Sequence, residues 1–147
     1  MELVLFIGIQ ATGKSSFYKE RFFRTHVRVN YDMLKTRHRE ELLFEACIRG
    51  RSKLVIDNTN LTRQDRARYI APAKEAGLRV VGYFFQSRVA DALRRNSQRP
   101  ESERVPDKGV LGASGRLELP SRAEGFDQLF FVRLDGPSGF AVEEWKE

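Results

Sequence analysis

The sequence predicts an α/β fold: a central, mainly parallel five-stranded sheet, flanked by helices and closed at one end by a helical lid. Three observations carry this prediction. Apolar, strand-like runs alternate with helical patterns along the chain, as expected where helices cross over between parallel strands. The first strand runs directly into Gly8-x-x-x-x-Gly13-Lys14-Ser15, a complete phosphate-binding loop pattern. Polar stretches at Asn30 to Asp32, at Asp57 to Asn60 and after Phe85 each stand just beyond a strand, where open parallel sheets bind their ligands.

The first strand spans Leu3 to Ile7. Glycines 8 and 13 let the backbone turn its N–H groups toward phosphate oxygens where a Cβ would obstruct them. A helix beginning near Lys14 adds the positive end of its dipole. Gly8, Gln10, Ala11, Thr12, Gly13, Lys14, Ser15 and Ser16 are therefore expected to cradle ATP in a P-loop NTPase fold, with Lys14 on the β- and γ-phosphates and the Ser15 hydroxyl on Mg²⁺. The first helix, Lys14 to Phe23, buries Phe17 and part of the Phe22–Phe23 pair.

A second strand covers His26 to Asn30, and Asp32 stands at the N-cap of a helix from Met33 to Arg49. That helix carries Leu43, Phe44, Cys47 and Ile48 at helical spacing and stops at Gly50. The third strand, Lys53 to Asp57, closes on the polar turn Asn58-Thr59-Asn60. The next helix opens at Thr62, with Asp65 three residues on as a variant capping box, and ends before Gly77; Pro72 predicts a kink or an early end. A fourth strand, Leu78 to Phe85, leads to a helix over Val89 to Gln98 and then to the polar segment "RRNSQRPESERVP". Residues 107–126 hold four glycines in mixed polarity and predict short helical turns and loops before a fifth strand, Gln128 to Leu134. With no repeat and no interdomain linker, residues 1–147 read as a single domain.

Composition excludes several classes. One cysteine, Cys47, rules out an internal disulfide and a cysteine-based zinc site, and its setting between Phe44 and Ile48 reads as a buried thiol. No apolar run reaches membrane-spanning length, and Met1 leads into a strand with no basic region or cleavage site, so a cytoplasmic protein without a membrane partner is expected. The formal charge is +6, with nineteen arginines against seven lysines. That excess suits a polyanionic partner, because each phosphate that a basic side chain neutralises releases counterions. An ATP site and an ordinary solvated surface supply positive charge as well.

The candidate chemistry lies at the strand ends. Asp32 has two readings: a general base for an acceptor hydroxyl, or a plain helix N-cap. Asp57 ends an apolar strand as a Walker B carboxylate does, placed to hold a water on Mg²⁺ or to bond Ser15; strand-end aspartates are also turn formers. Arg95 and Arg99 share a helical face that can close over ATP and set guanidinium charge on the transferring phosphoryl group, while Arg94 and Arg104 flank the same loop. A solvated basic helix is the other reading of these arginines. No guanine-type NKxD is present, which argues against a GTPase switch.

"GIQATGKS", "NYD", "VIDNTN" and "RRNSQRPESERVP", in this order and spacing, resemble the kinase domain of phage-type and bacterial polynucleotide 5′-kinases, within the small P-loop kinases. The similarity covers nearly the whole chain, and "RNxxR" followed by "VP" is its most specific part beyond the P-loop. The resemblance implies transfer of the ATP γ-phosphate to the 5′-hydroxyl of an RNA or DNA partner. It implies Lys14 and Ser15 for phosphate and metal, Asp32 as base, Asp57 as a structural or metal-linked carboxylate, and Arg95 and Arg99 as lid arginines. The family commonly has an arginine three residues after the base. Here that position is Lys35, with Arg37 and Arg39 nearby as further acceptor contacts. No DxDxT phosphatase motif is present, so 3′-end healing is not expected. A kinase of small hydroxyl compounds and a non-catalytic ATP-binding module are the rival readings.

Overall fold

The computed structural model describes residues 1–137 and 139–147. Its sheet has the order β2-β3-β1-β4-β5-β6. The strands are β1 (Glu2–Ile7), β2 (Val27–Val29), β3 (Leu54–Ile56), β4 (Arg79–Phe85), β5 (Gln128–Asp135) and β6 (Gly139–Glu144). The first five run parallel, as expected from the helical crossovers, and β6 returns antiparallel to β5. The sheet is thus six-stranded and not five-stranded. The sixth strand escapes the apolar pattern because Gly139–Glu144 is an edge strand with only half-buried or exposed residues.

β1 is buried on both faces, as a central parallel strand must be. Its side chains alternate: Leu3, Leu5 and Ile7 join Phe44, Tyr69 and Ile70 on one face, and Val4 and Phe6 join Phe17, Phe22 and Phe85 on the other. On the second face the Phe6 ring meets those of Phe85 and Phe17 at centroid distances of 5.1 and 5.8 Å. This aromatic layer seats α1 (Lys14–Arg21) against the sheet, directly behind the P-loop.

The helix expected over Met33 to Arg49 is divided. α2 is a single turn, Tyr31–Leu34, capped by Asn30, whose Oδ1 accepts from Met33 N at 2.8 Å. Lys35 takes a positive φ of 77°, and Thr36 then caps a new helix, α3 (Arg37–Arg49). Asp32 is therefore inside α2 and is not an N-cap; the short-range bond of Asn30, two residues earlier, takes that role. α4 (Arg63–Glu75) opens with the reciprocal Thr62–Asp65 capping box and runs on through Pro72. The early end expected at Pro72 does not occur, because three residues on the helix finishes anyway and its buried face, Tyr69, Ile70 and Ala73, holds it to the sheet. α5 is Val89–Ser97. Residues 107–126 are more regular than their glycines suggest: α6 (Asp107–Arg116) buries Val110 and Ala113 against Ala92 of α5, so packing overrides propensity.

One buried cation fixes the loop after β3. Arg66, fully inaccessible, pairs with both Glu124 carboxylate oxygens and donates to the carbonyls of Asn60, Leu61 and Glu118. Asn60 in turn donates from Nδ2 to Phe6 O at 2.7 Å. The turn carrying Asn58 and Thr59 is thereby held beside the P-loop. Among the described residues no helix is long and apolar enough to cross a membrane.

Candidate active site

The P-loop conformation depends on its glycines. Gly13 has φ of 97°, and a Cβ there would lie 3.0 Å from Phe140 Cε1 and 3.2 Å from Leu134 Cδ2. Gly8 lies so close to Phe85 and Thr12 that a Cβ would be 3.1 to 3.3 Å from their atoms. Gly8 N donates to Thr59 O at 3.0 Å, tying the loop to the end of β3. Lys14 Nζ donates to the carbonyls of Gly8 (3.0 Å) and Ile9 (2.7 Å), so the ammonium is folded into the loop. Burial there lowers its pKa to about 8; Arg99 lowers it further, and Asp57 and Asp32 act in the opposite sense.

Beside the loop, Ser15 Oγ donates to Asp57 Oδ2 at 3.2 Å. Asp57 is buried, with its N–H on Val29 O and its carbonyl accepting from Asn30 Nδ2 at 2.6 Å. Arg28, from β2, joins the pair: Nε donates to Asp57 Oδ2 at 2.9 Å and Nη2 to Ser15 Oγ at 3.1 Å. A hydroxyl next to a carboxylate is a hard-oxygen donor set, which suits Mg²⁺ shared with phosphate oxygens and water. Among the described residues no group of three or more His, Cys, Asp or Glu side chains is placed to hold a metal ion.

Across the cleft, the α2 turn presents Asp32 with its side chain exposed, close enough for its charge to act on Lys14. The turn is held from β3 by Asn58, whose Oδ1 accepts from Tyr31 N at 2.9 Å. Asn58 Nδ2 donates to Glu40 Oε2 at 2.9 Å, and Glu40 Oε1 also accepts from Arg37 Nη1 (2.7 Å) and Tyr69 OH (2.6 Å). Glu40 is only 1% exposed, so this is a buried carboxylate satisfied on both oxygens. Burial, reinforced by the bond to Glu40, raises the Tyr69 phenol to about 12, keeping it a proton donor. Arg37 also lies over the Tyr31 ring, 4.6 Å from its centroid.

The lid side is built from α5. Arg95 Nη1 donates to Ala11 O at 2.9 Å, and Arg99 lines the cleft. Buried Asn96 pairs with Val105 in both directions, from Nδ2 to O at 2.5 Å and to Oδ1 from N at 3.0 Å. That pair closes the loop between "RNxxR" and "VP", which gives the spacing a physical reason. Arg94 faces outward to Asp91, and Arg104 bonds the Arg99 carbonyl.

Lys14, Ser15, Asp32, Asp57, Arg37 and Arg99 thus line one cleft of about 400 Å³. Gln10, Ala11 and Thr12 form its P-loop edge, while Ser16 is the exposed third residue of the adjoining α1. Lys35 is exposed and outside the lining, and Arg39 bonds the Leu34 carbonyl, so Arg37 alone of the three basic candidates reaches the cleft.

A family model described as an AAA domain matches residues 3–120. The chain belongs to that family. The bifunctional polynucleotide phosphatase/kinase of Schizosaccharomyces pombe is 27% identical over 129 residues, covering 85% of this chain. The chain spans about a third of that relative's length, 32%. Among solved structures, Chaetomium thermophilum Kti12 in complex with ADP-AlF3 superposes with a TM-score of 0.68 at 16% identity, covering 92% of this chain and 90% of that one. A gluconokinase from Sinorhizobium meliloti gives a TM-score of 0.64 at 17% identity, with 92% and 84% covered. These likenesses show a P-loop kinase-like fold.

In this AAA domain chain motif reading passes over Arg28 and Glu40, which belong to none of the quoted motifs, and it quotes Tyr31 and Asn58 without showing that the two are bonded to each other. Arg28 alone left a trace: an arginine between two valines in the short strand that leads into the site.

Proposed function

We propose that the chain is an ATP- and Mg²⁺-dependent kinase that transfers the γ-phosphate to a hydroxyl, and that this hydroxyl is the 5′-OH of RNA or DNA. One observation carries the reading: the P-loop cation Lys14 and the Ser15–Asp57 pair share a cleft with an exposed carboxylate, Asp32, on the opposite wall, and with the lid arginine Arg99. A phosphate cradle alone would bind nucleotide. A carboxylate facing it provides a base for an acceptor.

In the proposed reaction the acceptor hydroxyl sits against Asp32, which takes its proton as the oxygen attacks the γ-phosphorus. The bond from γ-phosphorus to the β,γ-bridging oxygen breaks, and ADP leaves with that electron pair. Lys14 moves from the loop carbonyls to the β- and γ-phosphates, and Arg99 supplies charge to the equatorial oxygens. Arg95 acts through the Ala11 carbonyl, holding the loop in place. Ser15 and Asp57 would hold Mg²⁺, which when bound neutralises phosphate charge and orients the γ-phosphate. Arg37 is the acceptor-side cation, fixed by Glu40, and Lys35 is left to outer phosphates. The polynucleotide acceptor is supported by the name of the fission-yeast relative and by the arginine excess.

The test is a labelled-ATP assay across a nucleoside, a nucleoside 3′-phosphate, 5′-hydroxyl oligonucleotides and small alcohols. Acceptor KM should fall along the nucleotide series and rise with salt. Label on small alcohols only, with no gain from chain length, overturns the polynucleotide and keeps the kinase. No transfer to any acceptor, with ATP still bound, would favour a binding module.

A further inference from the structure

Behind the cleft, bonded to two of the side chains that line it, stands a positive charge with no part in the proposed phosphoryl transfer. Arg28 reaches from the edge strand β2 to the two side chains assigned to the metal, bonding Asp57 Oδ2 at 2.9 Å and Ser15 Oγ at 3.1 Å. The three groups form a closed triangle, since Ser15 also bonds Asp57 at 3.2 Å. The guanidinium is held from outside as well: its Cζ lies 5.8 Å from the Tyr18 ring centroid, and Nη1 points to Met33 Sδ at 3.9 Å. The Asp57 main chain is fixed on both sides, its N–H bonded to Val29 O of β2 and its carbonyl to Asn30 Nδ2. Asp57 is buried and Arg28 only about a quarter exposed, so water screens the pair weakly.

From this geometry we infer that Arg28 is a resident cation that excludes divalent metal from the nucleotide-free protein, so that Mg²⁺ enters only together with the nucleotide. The inference rests on the reading of Ser15 and Asp57 as the metal-holding pair. A guanidinium keeps its charge throughout the working pH range. A dication approaching Ser15 must therefore displace a bonded donor and sit beside a like charge in a poorly screened site. Once the triphosphate lies in the P-loop, its negative charges reverse that balance, and the Ser15 hydroxyl is free to leave Asp57. Metal binding then depends on nucleotide through charge alone, without any rearrangement of the fold.

The experiment is a Mn²⁺ titration of nucleotide-free protein followed by electron paramagnetic resonance, comparing wild type with Arg28→Met, which keeps length and removes charge. Arg28→Met should bind Mn²⁺ more tightly than wild type by on the order of tenfold or more. The added site should vanish in Arg28→Met/Asp57→Asn. Arg28→Lys, retaining the charge without the two-pronged contact, should resemble wild type more than Met does, and Arg28→Gln, which also removes the charge, serves in place of Met should Met fail to fold. In the presence of a non-hydrolysable ATP analogue, wild type and Arg28→Met should converge. Equal Mn²⁺ affinity of the two nucleotide-free proteins overturns the inference while leaving the kinase reading intact. Mn²⁺ binding to the nucleotide complex that ignores Asp57→Asn would instead overturn the metal-holding pair, and the inference with it.

Discussion

Lys14 makes nucleotide binding sensitive to pH in a direction the geometry sets. In the free protein its ammonium is folded against two carbonyls and desolvated, and its pKa falls from 10.5 to about 8. A bound triphosphate places negative charge on the same ammonium and raises that pKa again. Between those two values the complex holds one more proton than the free protein, so binding takes up a proton and affinity falls as pH rises. At pH 8 about half the free molecules carry neutral Lys14, and at pH 9 about nine-tenths do, so Kd for nucleotide should rise toward about tenfold per pH unit above 8. Isothermal titration with a non-hydrolysable ATP analogue in two buffers of different ionisation enthalpy reads the proton directly. The uptake should be about half a proton at pH 8 and approach one at pH 9. Lys14→Met should bind more weakly and show no uptake. Identical heats in the two buffers at pH 8.5, with Kd flat from pH 7.5 to 9, would refute the reasoning. Stability follows the same linkage: the unfolded chain holds its lysine proton to a higher pH, so Lys14 makes folding more favourable as pH rises from about 8 toward 10.5.

Asp32→Asn should lower turnover about a hundredfold or more with nucleotide affinity and thermal stability unchanged, because Asn30 and not Asp32 caps the turn; single-turnover rates near wild type would remove it as the base. Glu40→Gln loses the charge that holds Arg37 while keeping its shape, and should raise acceptor KM more than nucleotide KM at a stability cost of about 2 kcal/mol; a melt and initial rates at varied acceptor check both. Arg99→Ala should lower kcat with little change in melting temperature, since a cleft arginine acts on transition-state charge, and full activity would end that assignment. Arg95→Ala should weaken nucleotide binding more than it slows transfer, because Ala11, at φ of 61°, loses the donor on its carbonyl; an unchanged nucleotide Kd would refute this.

What the sequence made legible is what its local rules govern. The strand-to-helix turn from Gly8 to Ser15, the capping box of Thr62 and Asp65 and the place of Asp57 just past β3 involve residues within a few positions of one another, and the structure shows each of these local conformations. Partners far apart were not legible. Glu40 lies on a helix whose pattern marks only the apolar face, and its burial depends on Asn58 and Tyr69, eighteen and twenty-nine residues away. The floor of the P-loop is likewise supplied by Phe140, from a strand with too little apolar alternation to announce itself. Arg28 shows where a finer rule was available. Side chains alternate along β2, so the buried Val29 and the arginine before it face opposite sides of the sheet. β2 lies at the sheet's edge, yet the face that carries Arg28 is covered by the Tyr18 ring of α1 and is not ordinary solvent. An arginine at such a position needs an anionic or ligand-bearing partner, and Asp57, at the end of the neighbouring strand, was the carboxylate already in view. Charge on the inner face of a parallel strand near its carboxyl end is therefore a site signal, readable before any partner is known.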